Sequence, residues 1–290
     1  MLYLSIFTFP DAETEFDFRL TVKRTCYDTL YPFGVLSARG LTAAEFEPVT
    51  IFYGGNGCGK TTALNVIAER LGLRRDAPYN RSNFFEDYTA RCHPEVRRPV
   101  PAASRIITSD DVFDFMLNLR AINQGIDLKR EELFEEYWAL KDPGKEPFRL
   151  RSMADYDQLK KVNQSRSLTQ SRYVRAQGKE NVREQSNGES AFFYFTNSIG
   201  ENALYLLDEP ENSLAPDRQL ELARFLEDGA RFFGCQFIIA THSPFLLSLR
   251  GARVYDLDSS PAAVRRWTEL PSVRAYHDFF RRHAAEFEEE

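Results

Sequence analysis

Cysteine is scarce in this chain and scattered: Cys26, Cys58, Cys92 and Cys235 show no C-x-x-C spacing. That pattern indicates neither a disulfide framework nor a zinc site, and it suits a reducing cytosol. No apolar run approaches the ~20 residues of a membrane span. Met1 to Phe9 is apolar but lacks a basic lead and a small-residue cleavage site, so it reads as an opening strand and not as a secretory leader. Positive charge is not in surplus either. Lys and Arg number 37 against 43 Asp and Glu, a net −6, which excludes a uniformly basic coat for nucleic acid while leaving room for a local patch. Internal repeats and low-complexity tracts are missing, which excludes solenoid and linker architectures. The expectation is a soluble cytoplasmic protein whose 290 residues suffice for one large or two small domains with a full core.

Against these absences stands one dense motif. Gly54-Gly55-Asn56-Gly57-Cys58-Gly59-Lys60-Thr61, followed by Thr62, fits G-x-x-x-x-G-K-[ST]. The β-branched and aromatic run Val49 to Tyr53 precedes it, and Thr62 to Leu71 carries apolar residues at helical spacing after it, so the loop joins a strand to a helix. Glycines let the backbone curl until successive N–H groups and the helix N-terminus face an anion. Lys60 is then placed to reach β- and γ-phosphates, and Thr61 to put its hydroxyl on Mg²⁺. A glycine-rich turn without ligand is the bland alternative. Cys58 reads as a small filler whose backbone N–H matters more than its thiol.

Residues 1 to about 53 read as strands and turns, with breaks at Asp11 to Glu15 and Ser37 to Gly40. A polar loop is expected from the end of the motif's helix to Pro101, then a strand at Arg105 to Thr108. Apolar stripes Val112, Phe113, Phe115, Met116, Leu119, Ile122 and Leu133, Phe134, Tyr137, Trp138, Leu140 make 110–185 a charged helical lobe between the phosphate loop and the segment Ser186 to Ser190. From Ala203 onward, buried-looking strands (Ala203 to Leu207, Gln236 to Ala240, Arg253 to Leu257) alternate with a helix over Asp217 to Phe233, the rhythm of a parallel α/β sheet. Glu286 to Glu290 is a frayed acidic end.

Two strand ends carry chemistry. Ala203 to Leu207 runs into Asp208 and Glu209, an acid pair expected at the carboxyl edge of the sheet beside the loop. Asp208 suits the Mg²⁺ shell, and Glu209 suits polarising the water that attacks the γ-phosphate. Phe237 to Ala240 runs into Thr241-His242-Ser243, where His242 suits a hydrogen bond to that phosphate. Taken singly, the acid pair is as well explained by a capped strand end and His242 by a structural histidine; their order along the chain after the loop favours the functional reading.

The loop, then Ser186-Asn187-Gly188-Glu189-Ser190, then Leu207-Asp208-Glu209-Pro210, then Thr241-His242-Ser243 resembles the ordered motif set of the ABC-type ATPases. Asn187, Glu189 and the run Asp208 to Leu214 are similar to the branch of SMC, RecF and small stand-alone bacterial P-loop ATPases more than to transporter subunits. The resemblance implies an α/β P-loop core with an N-terminal β part and the helical lobe, one ATPase domain over 1–290. It also implies that Mg·ATP is held between two copies arranged head to tail, with Ser186, Gly188 and Glu189 of one closing on the nucleotide of the other. Departures from the pattern are Ala215, where transporter subunits have an aspartate, and the lack of the Mg²⁺-contacting glutamine, for which Ser109 or Asp110 occupies a comparable place. Tyr31 and Phe33 are open to two uses, core packing or stacking on adenine.

The function this implies is an ATP-hydrolysing dimeric clamp or switch acting on nucleic acid or a protein effector, in repair or defence; a transporter's nucleotide-binding subunit and an ATP-sensing module are the alternatives. Nucleic acid is suggested by 149–183, where Arg149, Arg151, Lys160, Lys161, Arg166, Arg172, Arg175, Lys179 and Arg183 face only Asp155, Asp157 and Glu180, with Tyr156 and Tyr173 interleaved. A solvated helical face explains the same run, and Arg175 or Arg183 could instead contact nucleotide phosphates.

Overall fold

The computed structural model describes residues 1–23, 26–27, 29–142, 156–177 and 187–287, with only the backbone for 156–159 and 187. Its elements are, in order, β1 (Leu4–Thr8), α1 (Ala12–Thr21), β2 (Ala43–Glu45), β3 (Val49–Tyr53), α2 (Lys60–Leu71), α3 (Phe85–Thr89), β4 (His93–Val96), β5 (Arg105–Thr108), α4 (Ser109–Lys141), α5 (Tyr156–Ser167), α6 (Gln170–Gln177), α7 (Asn187–Ser198), β6 (Leu204–Asp208), α8 (Pro216–Phe232), β7 (Gln236–Ala240), α9 (Pro244–Leu247), β8 (Arg253–Asp256), β9 (Ala263–Arg265) and α10 (Pro271–Arg282). The chain divides into two compact units, Met1–Phe113 with Asn187–Glu290, and Asp114–Ser186.

The larger unit is built on a sheet of order β5-β6-β7-β3-β8-β9, parallel throughout except for the edge strand β9. Strands β3, β6 and β7 are buried along their whole length, as strands covered on both faces must be, and this is why they read as unbroken apolar runs. Register sets what meets at the carboxyl edge. Asp208 pairs with Thr108 on one side and Ala240 on the other, and Phe52 pairs with Ala240, so the chain leaves β3, β6 and β7 within neighbouring loops. Ligand crevices of open parallel sheets form at that edge.

A second sheet, antiparallel and of order β2-β1-β4, covers part of the first. One link to the large sheet is a side chain: Gln236, wholly buried at the start of β7, accepts from the N–H groups of Tyr3 and Leu4 at 2.8 and 3.0 Å and donates to the Leu4 carbonyl at 2.8 Å. Another is the Tyr255 hydroxyl of β8, which accepts from the Glu45 N–H of β2 at 2.8 Å. Two segments expected as a break and a loop are ordered. Ala12–Thr21 is a helix, because Asp11 caps it by accepting from the Thr14 N–H at 2.8 Å and Phe18 stacks on Phe33 at 4.3 Å. Residues 85–96 supply α3, carrying Phe85 and Tyr88 into the core, and β4, which pairs along β1.

In the smaller unit the two apolar stripes belong to one helix, α4, which begins in the larger unit and runs for 33 residues. Leu133, Tyr137, Tyr173 and Val174 form its core, with the Tyr137 hydroxyl donating to the Leu168 carbonyl at 3.2 Å. Phe113, Ile122 and Trp138, expected on the buried stripe, are exposed.

Candidate active site

The loop between β3 and α2 owes its shape to glycines at two points. Gly54 has φ 154°, and a Cβ there would stand 2.5 Å from the Cys58 sulfur and 3.2 Å from a carboxylate oxygen of Asp258. Gly59 has φ 103° and lies against Leu36 and Val35. Cys58 is the buried filler its position suggested, and burial raises its thiol pKa. Lys60, itself buried, donates to the carbonyls of Gly54 at 2.7 Å and Gly55 at 3.1 Å. An ammonium has three N–H donors, so the loop fixes the head and leaves one for an anion. Asp258, two residues beyond the end of β8, braces the loop by accepting the Gly55 N–H at 2.8 Å.

Thr61 and Asp208, 147 residues apart, meet here: the threonine hydroxyl donates to Oδ1 of Asp208 at 3.1 Å. Burial raises the Asp208 pKa from 3.8 to about 6; the Thr61 bond and Lys60 oppose the rise, while Glu209 and Glu211 add to it. Among the described residues no cluster of three or more His, Cys, Asp or Glu side chains could enclose a metal. Two convergent hard oxygens beside a phosphate cradle nevertheless fit Mg²⁺, which keeps waters and phosphate oxygens in most of its shell. Glu209 points elsewhere. It adopts φ 47°, uncommon for a side-chain-bearing residue and of the kind concentrated at functional sites, while its N–H bonds the Ala240 carbonyl at 2.8 Å. Its Oε1 lies 3.8 Å from the Lys60 ammonium and 3.9 Å from Nδ1 of His242, and its Oε2 accepts from Asn212 at 3.1 Å.

His242 is half exposed on the loop after β7. Sequence reasoning gave no role to the residue that holds this loop, Glu211. Its carboxylate, buried three residues beyond Asp208, accepts at Oε1 from the Thr241 hydroxyl at 2.6 Å, the His242 N–H at 3.0 Å and the Ser243 N–H at 3.3 Å. Only its place in the run Asp208 to Leu214 could have signalled it.

A cleft of about 380 Å³ opens beside Lys60, Thr61 and Glu209, lined by Tyr31, Val35, Asn56 to Thr62 and Glu209. Its Tyr31 and Val35 side is set by α1: Glu15, buried, accepts from the Gly34 N–H and the Ser37 hydroxyl at 2.7 Å each and so fixes the turn. Burial raises the Glu15 pKa, partly offset by those two bonds. The Tyr31 hydroxyl lies 3.1 Å from that of Thr62, so Thr62 supports the cleft wall. Phe33 is core, and of the two aromatics only Tyr31 faces the cleft.

Ser186 lies outside the described residues. Gly188 and Glu189 begin α7 away from the cleft lining. A Cβ on Gly188 would stand 3.1 Å from the Ser213 carbonyl, and Glu189 lies 3.6 Å from Arg218 of α8. Ala215 is the residue before α8 and offers no side-chain cap. Ser109 follows Thr108 directly at the end of β5, half-buried, and Asp110 is exposed. Of the basic run, Arg149, Arg151, Asp155, Lys179, Glu180 and Arg183 lie outside the described residues, as do the side chains of Tyr156 and Asp157. Lys160, Arg166, Arg172 and Arg175 are exposed, and Lys161 pairs with Glu136 at 2.6 Å. Tyr173 does not face a groove: it is fully buried against Tyr137, ring centres 5.4 Å apart.

Strand order, loop and acid pair together make the parallel α/β core of a P-loop fold. A family model described as "AAA domain, putative AbiEii toxin, Type IV TA system" matches residues 108–248, a little under half of the chain; this covers Asp208, Glu209 and His242 but not the phosphate loop. Solved structures similar to the chain include the SMC head domain from Thermotoga maritima (13% identity, 77% of this chain and 92% of that one, TM-score 0.35). Others are the Smc head domain from Pyrococcus furiosus with an extended coiled coil bound to the C-terminal domain of ScpA (13%, 82% and 94%, 0.42) and a nucleotide-free ATP-binding cassette from an ABC transporter (17%, 81% and 90%, 0.39). No curated protein matches.

Proposed function

We propose that the chain hydrolyses Mg·ATP as a head-to-tail homodimer, working as an ATP-driven clamp or switch on a nucleic acid or a protein effector. The observation that carries the reading is that Lys60, Thr61 and Glu209, up to 149 residues apart, line one cleft, with Asp208 hydrogen-bonded to Thr61. In this reading the loop N–H groups and Lys60 hold the β- and γ-phosphates, and Thr61 with Asp208 hold Mg²⁺, which neutralises charge on the phosphate oxygens. Glu209 orients a water and accepts its proton as the water oxygen bonds the γ-phosphorus and the bridging oxygen leaves. His242 donates to the γ-phosphate. Residues 110–185 form a lobe inserted in a single ATPase domain over 1–290.

The dimer rests on the resemblance of Ser186 to Ser190 to the signature segment that closes on a second copy's nucleotide, with Gly188 and Glu189 at the start of α7 outside the cleft lining. A defence role is favoured by the toxin–antitoxin wording of the matching family, and buried thiols at Cys58, Cys92 and Cys235 support a cytoplasmic setting. No helix among the described residues is long and apolar enough to cross a membrane, and it is the variant signature, Ala215 and the missing glutamine that count against a transporter's nucleotide-binding subunit. The test is Glu209→Gln, which should keep parent affinity for Mg·ATP and lose turnover by about 10²-fold or more. Parent-rate hydrolysis by this variant overturns the assignment.

A further inference from the structure

The Thr241–Ser243 loop follows a parallel strand and leads into a four-residue helix, so regular backbone pairing does little to fix it. What fixes it comes from the turn after β6. One oxygen of Glu211 takes three donors from three successive residues, two of them main-chain N–H groups, and the carboxylate is 6% exposed. Nδ1 of His242 stands 3.5 Å from that same oxygen, so backbone and ring of the histidine are both referred to one carboxylate. The other Glu211 oxygen is buried without a donor. Burying a carboxylate with half its capacity unmet is costly, and nothing in the packing demands it. A second tie runs beside the first: the Ser243 hydroxyl donates to Gln219 at 2.7 Å, and Gln219 donates to the Leu214 carbonyl at 2.8 Å.

We propose that Glu211 is a positioning residue for ATP hydrolysis, holding His242 at the Glu209 side of the cleft and making its placement depend on the 211–214 turn. The proposal rests on the ATPase reading above. Glu211 touches neither nucleotide nor water in this scheme, so its removal should act on the rate and not on affinity.

Four forms test it: Glu211→Ala, His242→Ala, the double variant, and Glu211→Gln, whose amide oxygen can take the same three donors. Calorimetry with Mg·ATP gives affinity, steady-state assays at saturating ATP give kcat, and ¹³C-edited spectra follow the ring signal of His242. Glu211→Ala should keep Kd within about twofold and lower kcat by about 10- to 100-fold, the scale of an ångström-sized misplacement. The double variant should be no slower than the slower single, since both changes remove one function. Glu211→Gln should regain part of kcat, and the His242 signal should move in Glu211→Ala but not in Glu211→Gln. Multiplying losses in the double variant, or affinity falling in step with kcat, overturns the proposal. If the parent does not turn over ATP, the ATPase reading fails on its own, and an unmoved His242 signal in Glu211→Ala still overturns the positioning role. Should Glu211→Ala not fold, Thr241→Val deletes the 2.6 Å bond to Glu211, together with the 3.0 Å bond that the Ser243 N–H makes to the same hydroxyl, leaves the carboxylate in place and must lower kcat at unchanged Kd; an unchanged kcat there overturns the proposal.

Discussion

Replacing Asp208 with asparagine takes away a carboxylate that the fold holds almost out of water, 8% exposed between Thr61, Lys60 and two other acids. Its folded pKa of about 6 lies above the unfolded value of 3.8, so the native state binds the proton more tightly and stability falls as pH rises between the two. At one unit per 1.36 kcal/mol, the penalty is about 1.5 kcal/mol at pH 5 and about 3 kcal/mol at pH 8. Asparagine keeps an oxygen for the Thr61 hydroxyl and carries no charge. Metal-free Asp208→Asn should therefore be more stable than the parent by up to about 3 kcal/mol at pH 8, with roughly half that advantage at pH 5. Urea unfolding at pH 5, 6, 7 and 8 in EDTA measures it. Mg·ATP at 100 times Kd should add about 2.7 kcal/mol to the parent and much less to the variant, narrowing or reversing the order. A variant no more stable than the parent at pH 8, or an advantage that does not shrink toward pH 5, would refute the account of this site as one where a costly charge is kept for a cation.

Lys60→Ala should stay folded and lose tight Mg·ATP binding in calorimetric titration, because two loop carbonyls and the anion lose their common donor; unchanged affinity would remove the phosphate loop from the site. Glu209→Gln should sediment as a monomer without nucleotide and as a dimer with ATP, and Gly188→Val, whose side chain meets the Ser213 carbonyl, should block that shift; a mass indifferent to ATP would count against composite sites. If the lobe binds nucleic acid, reversing charge at Lys160, Lys161 and Arg166 should weaken binding to all sequences alike and flatten its salt dependence in fluorescence anisotropy. No binding by the parent at low salt with ATP present would leave a protein effector as the partner.

The parts legible in the sequence are those whose burial leaves a one-dimensional trace. Strands β3, β6 and β7 are buried along their whole length and read as apolar runs, and the loop between β3 and α2 has a spacing of its own. Helix α1 escaped because its first turn is polar and its core contacts reduce to Glu15 and Phe18. Strand β4 escaped because His93-Pro94-Glu95-Val96 has no strand-like pattern and pairs only because β1 offers an edge. Tyr173 read as surface since its neighbours are basic, yet Tyr137, 36 positions earlier, buries it. The acid pair, and a role for each member, could be read as expectations from the sequence, but not the left-handed turn at Glu209 that sends the two carboxylates apart. Glu211 was invisible for a different reason: its partners lie 30 to 32 residues away on another strand's end.

Gln236 gives the two sheets a common fate. Its amide takes the place a neighbouring strand would fill, meeting both the N–H groups and the carbonyl of the first residues of β1 across 232 positions of chain. Peeling the small sheet away would strand a buried amide, two main-chain donors and an acceptor together, so partial opening there is nearly as costly as full opening. The beginning of the chain is therefore tied to the large sheet and not a frayed appendage. The amide protons of Tyr3 and Leu4 should exchange with solvent about as slowly as those of β7.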